Sequence, residues 1–489
     1  MPRYGSATSR PQWSVALSLT AVVAAVLMLV APDSPLHTIN ARYDSNWFLT
    51  AGRAWALGLT PYVDFSDSKG PLLWLIYRVG YMLSRHDFTG VFALVSLCYM
   101  GTYWFAYRTA SLWLRRPMAV AVAVLSTLAW FNPVFFNEIR ADDFCHLPIT
   151  LSLYVTARAL YGRRERGPVA ACFIVGVCTA ALMLIKYNIA AMNSVFAVTL
   201  LWHYRRRFAA ALLWGLAGMA TVILPMAALL WRDGCLGACV NEYFLLTAVT
   251  TTAEAPLVDF LGRIWRGITS WNVMVWGCLL TGIAGAALMS VLVRRYRWWP
   301  LAVFAWFLLP TLLLSWQAHH FSSLSAMYLF AAISVMAMVE PRVSGGGERT
   351  VVGAAIVLAL ACATVQNFYS PNYHANWRWK DSDNRREYDR HSAIVAQHPR
   401  SRILFWRCYD TGVGTRGEAL PAIRYWAKQS GATAAMNDAQ DTAVVRRVAD
   451  FIVIHHRADP DLAPTLRSAG YHRHADPVPA PLFCLYEKR

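Results

Sequence analysis

Apolar residues run along this chain in blocks of 16 to 24, parted by short polar or basic stretches. A helix needs roughly 20 such residues to cross a bilayer. The pattern predicts spans near 12–31, 88–111, 117–132, 144–161, 168–186, 189–204, 208–231, 270–293, 299–316, 322–340 and 350–366. The first block, Trp13 to Ala31, is longer than the apolar core of a secretory signal and no small-x-small site follows it. It reads as an uncleaved first span.

Charge then orients the bundle. With the N-terminus inside, the runs Arg115-Arg116, Arg163-Arg164-Glu165-Arg166, Arg205-Arg206-Arg207, Arg294-Arg295-Tyr296-Arg297 and Arg342 to Arg349 all fall on the cytoplasmic side. The segment Pro71 to Ser84 is apolar but holds only about 14 residues, with Arg78 in its middle. A span there would move every later basic run to the other side. It is therefore expected to be a short helix lying on or dipping into the outer face.

After about residue 368 the composition changes to alternating short apolar runs and polar helical patterns. Strands are expected at Arg402–Trp406, Asp450–His455 and Leu482–Tyr486, and helices at Ala419–Lys428, Asp438–Ala449 and Leu462–Ala469. The expected fold class is an α-helical polytopic membrane protein of about eleven transmembrane helices with a small C-terminal α/β extracytoplasmic domain. The membrane part takes residues 1–367, with a first outer loop at 32–87 and its interfacial helix at 71–84. The soluble unit takes residues 368–489.

Composition agrees. Of 489 residues 57% are hydrophobic and 15% charged, against about 25% charged in soluble chains. The net charge of +17 sits in the basic runs between spans, so nucleic acid is not an expected partner and membrane lipids are. Most of the ten cysteines lie in apolar blocks, and no CxxC or Cys/His spacing points to structural zinc. Cys408 and Cys484 lie in the soluble unit, where an oxidising face allows a disulfide.

The candidate chemistry lies at the outer span ends. Asp44 follows the first span by about a dozen residues, where a carboxylate can take a proton from an attacking hydroxyl; a helix-cap aspartate is the plainer alternative. In Pro61-Tyr-Val-Asp-Phe-Ser-Asp-Ser-Lys-Gly-Pro71, Lys69 precedes the interfacial helix and can hold a phosphate, helped by amides at the helix start. Asp64 and Asp67 can position Lys69, bind sugar hydroxyls or cap turns. Asp142 and Asp143 end the dense segment Glu138-Ile-Arg-Ala-Asp-Asp143 and can bind a hard divalent metal or sugar hydroxyls. Lys186, in Lys186-Tyr-Asn188, and His319 and His320, in Gln317-Ala-His-His320, can hold a phosphate leaving group. A P-loop, GxGxxG or GxSxG context is missing, which argues against nucleotide-driven chemistry and serine hydrolysis.

The order of these elements resembles the GT-C superfamily of membrane glycosyltransferases, in its protein O-mannosyltransferase, aminoarabinose-transferase and RgtA-like branch (glycosyltransferase family 39-like). Tyr43-Asp44 followed by Pro61-Tyr62-Val63-Asp64 and Lys69-Gly70-Pro71 looks like that branch's first outer loop. The resemblance covers about residues 12–366. It implies inverting transfer of a monosaccharide from a polyprenyl-phosphate carrier to a glycan, lipid or protein acceptor at the periplasmic side of a bacterial inner membrane. It also implies Asp44 as base, Lys69 as a contact for the carrier phosphate, and help from Asp142 and Asp143. Where related sequences carry an Arg/His-aromatic pair, this chain has His319-His320-Phe321 and no arginine. The superfamily has metal-dependent and metal-independent members; a metal here would draw on Asp44, Asp142 and Asp143. The competing class is a transporter or a lipid or polysaccharide flippase, which calls for mid-membrane ionisable residues and internal repeats.

Overall fold

The computed structural model describes residues 13–31, 33–36, 43–131, 138–162, 167–246, 262, 265, 269, 273–314, 318–343, 346–369, 383–429, 433–476, 478 and 481–489. A helix lies at each position where a span is expected: α1 (Trp13–Val30), α4 (Thr89–Ala110), α5 and α6 (Arg116–Leu125 and Thr127–Trp130), α7 (Ala141–Tyr161), α8 (Pro168–Ile185), α9 (Tyr187–His203), α10 (Phe208–Arg232), α12 (Val273–Leu292), α13 (Trp299–Leu314), α14 (Leu329–Val339, entered by a 3-10 stretch Ala318–Tyr328) and α15 (Gly346–Tyr369). In lipid every backbone amide must be satisfied internally, so apolar runs of this length become helices. Six helical segments are long and apolar enough to cross a membrane by length and composition. The protein is an integral membrane protein.

Residues 71–84 form the short helix expected there, α3 (Pro71–Leu83). Pro71 takes the first helical position, where its missing amide is no loss, after an extended Gly70. The helix buries Leu73, Trp74, Tyr77 and Tyr81 and leaves Val79, Met82 and Leu83 exposed. One apolar face packs on protein and a second faces outward. A further helix, α2 (Asp44–Ala56), lies in the same loop and was not expected. It buries Ser45, Asn46, Thr50 and Arg53 beside Trp47, Phe48 and Leu49, so no amphipathic stripe announces it. Beyond α10, a short α11 (Leu236–Cys239) runs into a π turn, Val240–Leu246.

After α15 comes α16 (Asp383–Ala396), then a five-stranded sheet ordered β2-β1-β3-β5-β4. The strands are β1 (Arg402–Phe405), β2 (Leu420–Pro421), β3 (Phe451–His455), β4 (Tyr471–Arg473) and β5 (Phe483–Lys488), with α17 (Ala434–Val445) and α18 (Asp459–Ser468) between them. β1 pairs parallel with β2 and β3; β5 pairs antiparallel with β3 and β4. Period-2 alternation splits the sheet's two faces. Ile403, Phe405, Phe451 and Val453 join the core of the helical bundle. Leu404, Ile452 and Ile454 pack instead with Ala443, Val444 and Leu466 of the covering helices.

Two expectations are corrected here. Residues 419–428 are not a helix. The Leu420 amide donates to Ser401 O at 2.8 Å and that of Ala422 to Ile403 O at 3.0 Å, so this segment extends the sheet as an edge, where Pro421 needs no donor. Cys408 and Cys484 are both free and buried. Cys408 follows β1 and Cys484 lies on β5, with β3 between them. Two strand spacings of about 4.8 Å exceed the reach of a disulfide.

Candidate active site

The site grows from the N-terminus of α2. The carboxylate of Glu138 accepts the Asp44 amide at 3.0 Å and the Ser45 amide at 3.3 Å. A helix start attracts an anion, and here a side chain from another loop fills that place. Asp33, just beyond α1, accepts the Ser45 hydroxyl at 3.2 Å and the Ile139 amide at 3.0 Å. Two buried carboxylates therefore stitch three chain segments together. Burial pushes the Asp33 carboxyl up to about 7, with neighbouring Glu138 acting in the same direction. Glu138 is likewise raised, by burial first and then by Asp44, against the pull of Arg140.

Because Glu138 caps the helix, the Asp44 side chain is left facing outward at 49% exposure, with Arg140 Nε at 3.7 Å. Arg140 also donates twice to Glu138, at 3.1 and 3.0 Å. Lys186, at the end of α8, donates to both oxygens of Asp142, at 3.1 and 2.9 Å. Lys69 lies 3.8 Å from Asp67 and over the Phe48 ring at 5.9 Å. Burial weakens its basicity, but Asp67, Asp44 and Asp142 together outweigh burial and raise it above the ordinary lysine value. Those same couplings make Asp44, Lys69, Asp142 and Arg140 one electrostatic cluster.

Lys69 is set against α8 by Gly70. Its amide donates to Ile185 O at 3.0 Å, and a Cβ there would stand 2.1 Å from Leu184 O. That amide is thus not available to an anion, as the sequence reading expected of the α3 start. Tyr62 completes the brace by donating to Lys69 O at 2.8 Å.

The remaining expected residues divide. Asp143 does not share a site with its neighbour Asp142. It accepts the Arg140 amide at 2.7 Å, capping α7, and the Tyr99 hydroxyl at 2.6 Å. Asp64 is exposed and accepts the Thr60 amide of its own turn at 2.7 Å. Asp67 accepts the Ser68 amide at 2.5 Å while facing Lys69. His319 and His320 fall in the 3-10 stretch, but their side chains lie outside the described residues. A divalent metal fits the acidic trio poorly. Asp44 already faces Arg140, Asp142 faces Lys186, and Asp143 is spent on a helix cap.

Sequence reading did not single out Arg140, Glu138 or Asp33. Their density in the loop was visible, but the contacts that join Glu138 to Asp44 and Asp33 to Ile139 span about a hundred residues. The C-terminal α/β unit also reaches this site. Tyr409 stacks on Tyr43 with centroids 5.0 Å apart, Asp410 accepts the Thr50 hydroxyl at 2.8 Å, and Trp426 stacks on Trp47 at 4.0 Å. The segment Tyr409 to Gly414, for which the sequence offered no chemistry, is the surface that docks on α2.

The fold is similar to that of solved membrane glycosyltransferases. Among solved structures, ArnT from Cupriavidus metallidurans bound to undecaprenyl phosphate matches with a TM-score of 0.61 at 13% identity, over 98% of each chain. Its apo state matches at 0.58 and 14%, over 97% of this chain and 98% of that one. The arabinofuranosyltransferase AftD from Mycobacteria matches at 0.53 and 14%, over 99% of this chain but only 42% of its own. At such identities the likeness is one of fold. No protein-family model and no curated protein matches the sequence.

Proposed function

We propose that the protein is a glycosyltransferase that moves a monosaccharide from a polyprenyl-phosphate carrier to an extracytoplasmic acceptor. The observation that carries this reading is the half-exposed Asp44 beside Arg140 and coupled to Lys69, with Lys186 held on the neighbouring Asp142. In the reaction, the acceptor hydroxyl oxygen attacks the anomeric carbon and the bond from that carbon to the phosphate oxygen breaks. Its electron pair leaves on the polyprenyl phosphate, and the hydroxyl proton passes to Asp44. The attack comes from the face opposite the leaving group, so the configuration inverts.

Positive charge next to the departing phosphate lowers the barrier because it meets charge as it develops. Lys69 is the first choice for that contact. It is partly exposed, and the nearby carboxylates keep it protonated. Lys186 is held more deeply by Asp142 and sets the electrostatic background. The carrier's hydrocarbon tail would stay in the bilayer beside the interfacial α3. The undecaprenyl phosphate bound by ArnT, which shares this fold, supports a carrier of that class. The basic runs support a cytoplasmic N-terminus, eleven spans and an outer soluble unit, in a bacterial inner membrane. The acceptor would be a cell-envelope glycan, a lipid or a protein.

The test is sugar release from a panel of radiolabelled polyprenyl-phosphate monosaccharides by protein in detergent, with and without chelator. One donor should be turned over. Asp44→Asn should lose at least about 100-fold in rate, the lower range for removing a general base, while keeping its donor affinity. Lys69→Ala should weaken donor binding more than acceptor binding. Full turnover by folded Asp44→Asn would remove Asp44 as base, and unchanged donor affinity in Lys69→Ala would remove that contact. Silence across the panel, with lipid carried across vesicles instead, would favour a flippase.

A further inference from the structure

Away from the site, at the far edge of the sheet, His472 and His474 lie two residues apart on one face of β4 and just beyond it. Glu487 is the register partner of His472 on β5. Both imidazoles aim Nε2 at the same carboxylate oxygen, His474 at 2.8 Å and His472 at 3.5 Å. His398, in the turn after α16, places its own Nε2 3.4 Å from the other oxygen. The ligand atoms of His472, His474 and Glu487 all lie within 4.8 Å of one another. We propose that these three residues, with His398 as the fourth ligand, form a binding site for a transition-metal dication of the zinc type.

Zinc holds nitrogen and oxygen ligands at about 2.0–2.1 Å in a tetrahedron. Ligand atoms on such a tetrahedron stand about 3.3 Å apart, the edge that follows from those bond lengths. The three approaches to Glu487 bracket that value. Imidazole with one carboxylate suits zinc, cobalt, nickel or copper and not magnesium or calcium, which ask for oxygen alone.

The electrostatics agree. Arg473, between the two histidines, alternates to the opposite side of the strand. There it is held by Asp459 at 2.7 Å and Asp476 at 2.5 Å. Lys488 sends its ammonium to the Arg447 carbonyl at 2.9 Å. Neither cation is turned to the cluster, so Glu487 meets imidazoles rather than a fixed positive charge. His398 is 55% exposed, against 22% for His474 and Glu487, so an ion has a way in from that side.

The three-residue β4 is an edge strand, held by pairing on one side alone. A bound ion would tie that edge to the turn leading into β1, joining segments about 75 residues apart (398 and 472). The role is structural and independent of the glycosyl-transfer reading.

The experiment uses the full chain, purified in detergent without a polyhistidine tag and stripped with chelator. Co²⁺ is titrated in and followed by visible absorption, then displaced by Zn²⁺. We expect one Co²⁺ per chain with the intense bands of tetrahedral coordination, and a higher melting temperature with Zn²⁺. Glu487→Gln and His474→Gln should each weaken Co²⁺ binding at least about tenfold, since loss of even a partner that supports a metal ligand has that effect. His398→Ala, in an exposed turn, should weaken binding and shift the bands. His86→Ala, an exposed histidine outside the cluster, should change nothing. No Co²⁺ uptake by the folded wild type would overturn the proposal. So would weak octahedral binding that survives His474→Gln and His398→Ala.

Discussion

The exposure of Asp44 is set by buried residues around it. Glu138 takes over the start of α2, which frees the Asp44 carboxylate to face outward, and Asp33 locks the same corner from the α1 side. Both buried carboxyls are raised, so the folded protein holds protons that the unfolded chain would release near pH 4. This stabilisation is complete below the unfolded values and is lost as pH rises from there through about 7. The melting temperature in detergent should fall between about pH 4.5 and pH 7.5, and Asp33→Asn should flatten part of that fall. A wild-type profile that rises across this window, or an Asp33→Asn profile parallel to it, would show that Asp33 is ionised in the fold. Lys69 works in the opposite sense. Its neighbours are carboxylates, so it stays a cation throughout the range in which the site would operate.

At the level of elements, α2 is the hinge of the design. It is a helix of mixed composition that buries almost every side chain because it lies between the bundle and the sheet. Gly412 shows how close that contact is. Its φ of +78° belongs to the left-handed region, and a Cβ there would stand 2.6 Å from the Asn46 side chain. Gly412→Ala should therefore weaken docking of the C-terminal unit by about 1–3 kcal/mol, from backbone strain and crowding together. The measurement is amide hydrogen exchange of α2 under native conditions, which should speed up in the variant. Unchanged exchange would mean that the Tyr409–Gly414 loop shifts without loss. Trp426 on Trp47 and Asp410 on Thr50 hold the same surface, so Gly412→Ala should loosen the contact without abolishing it.

For the whole molecule, two bodies meet over one corner. The sheet's inner face continues the core of the helical bundle and its outer face is closed by its own helices. Docking brings Tyr409 against Tyr43, the residue before Asp44, so the C-terminal unit borders the Asp44 corner. A second anchor runs through Glu242, after α10, which accepts from Ser66, Arg424 and Tyr425 at 2.9, 3.1 and 3.0 Å. The segment before α3, the turn Val240–Leu246 and the C-terminal unit are thereby tied together.

Much of this was legible in the chain itself. Lipid leaves an apolar run of some twenty residues no alternative to a helix, so each expected span coincides with a helix, and a 13-residue stretch opened by Gly70-Pro71 had to be something shorter. Asp44, Lys69, Asp142 and Lys186 were visible because ionisable groups at span ends stand out against an apolar background. The sequence could not show α2, whose buried polar residues find partners in distant segments, Ser45 on Asp33 and Glu138, Thr50 on Asp410 of the C-terminal unit. Nor could it show the edge strand at 420–421, whose amides follow β1 rather than local propensity. It could not join Glu138 to the start of α2, or His398 to His472, His474 and Glu487. Hydropathy is written locally and survives without folding. Which carboxylate caps a helix, which stays exposed and which imidazoles meet depend on contacts between distant segments, and only the tertiary structure decides those.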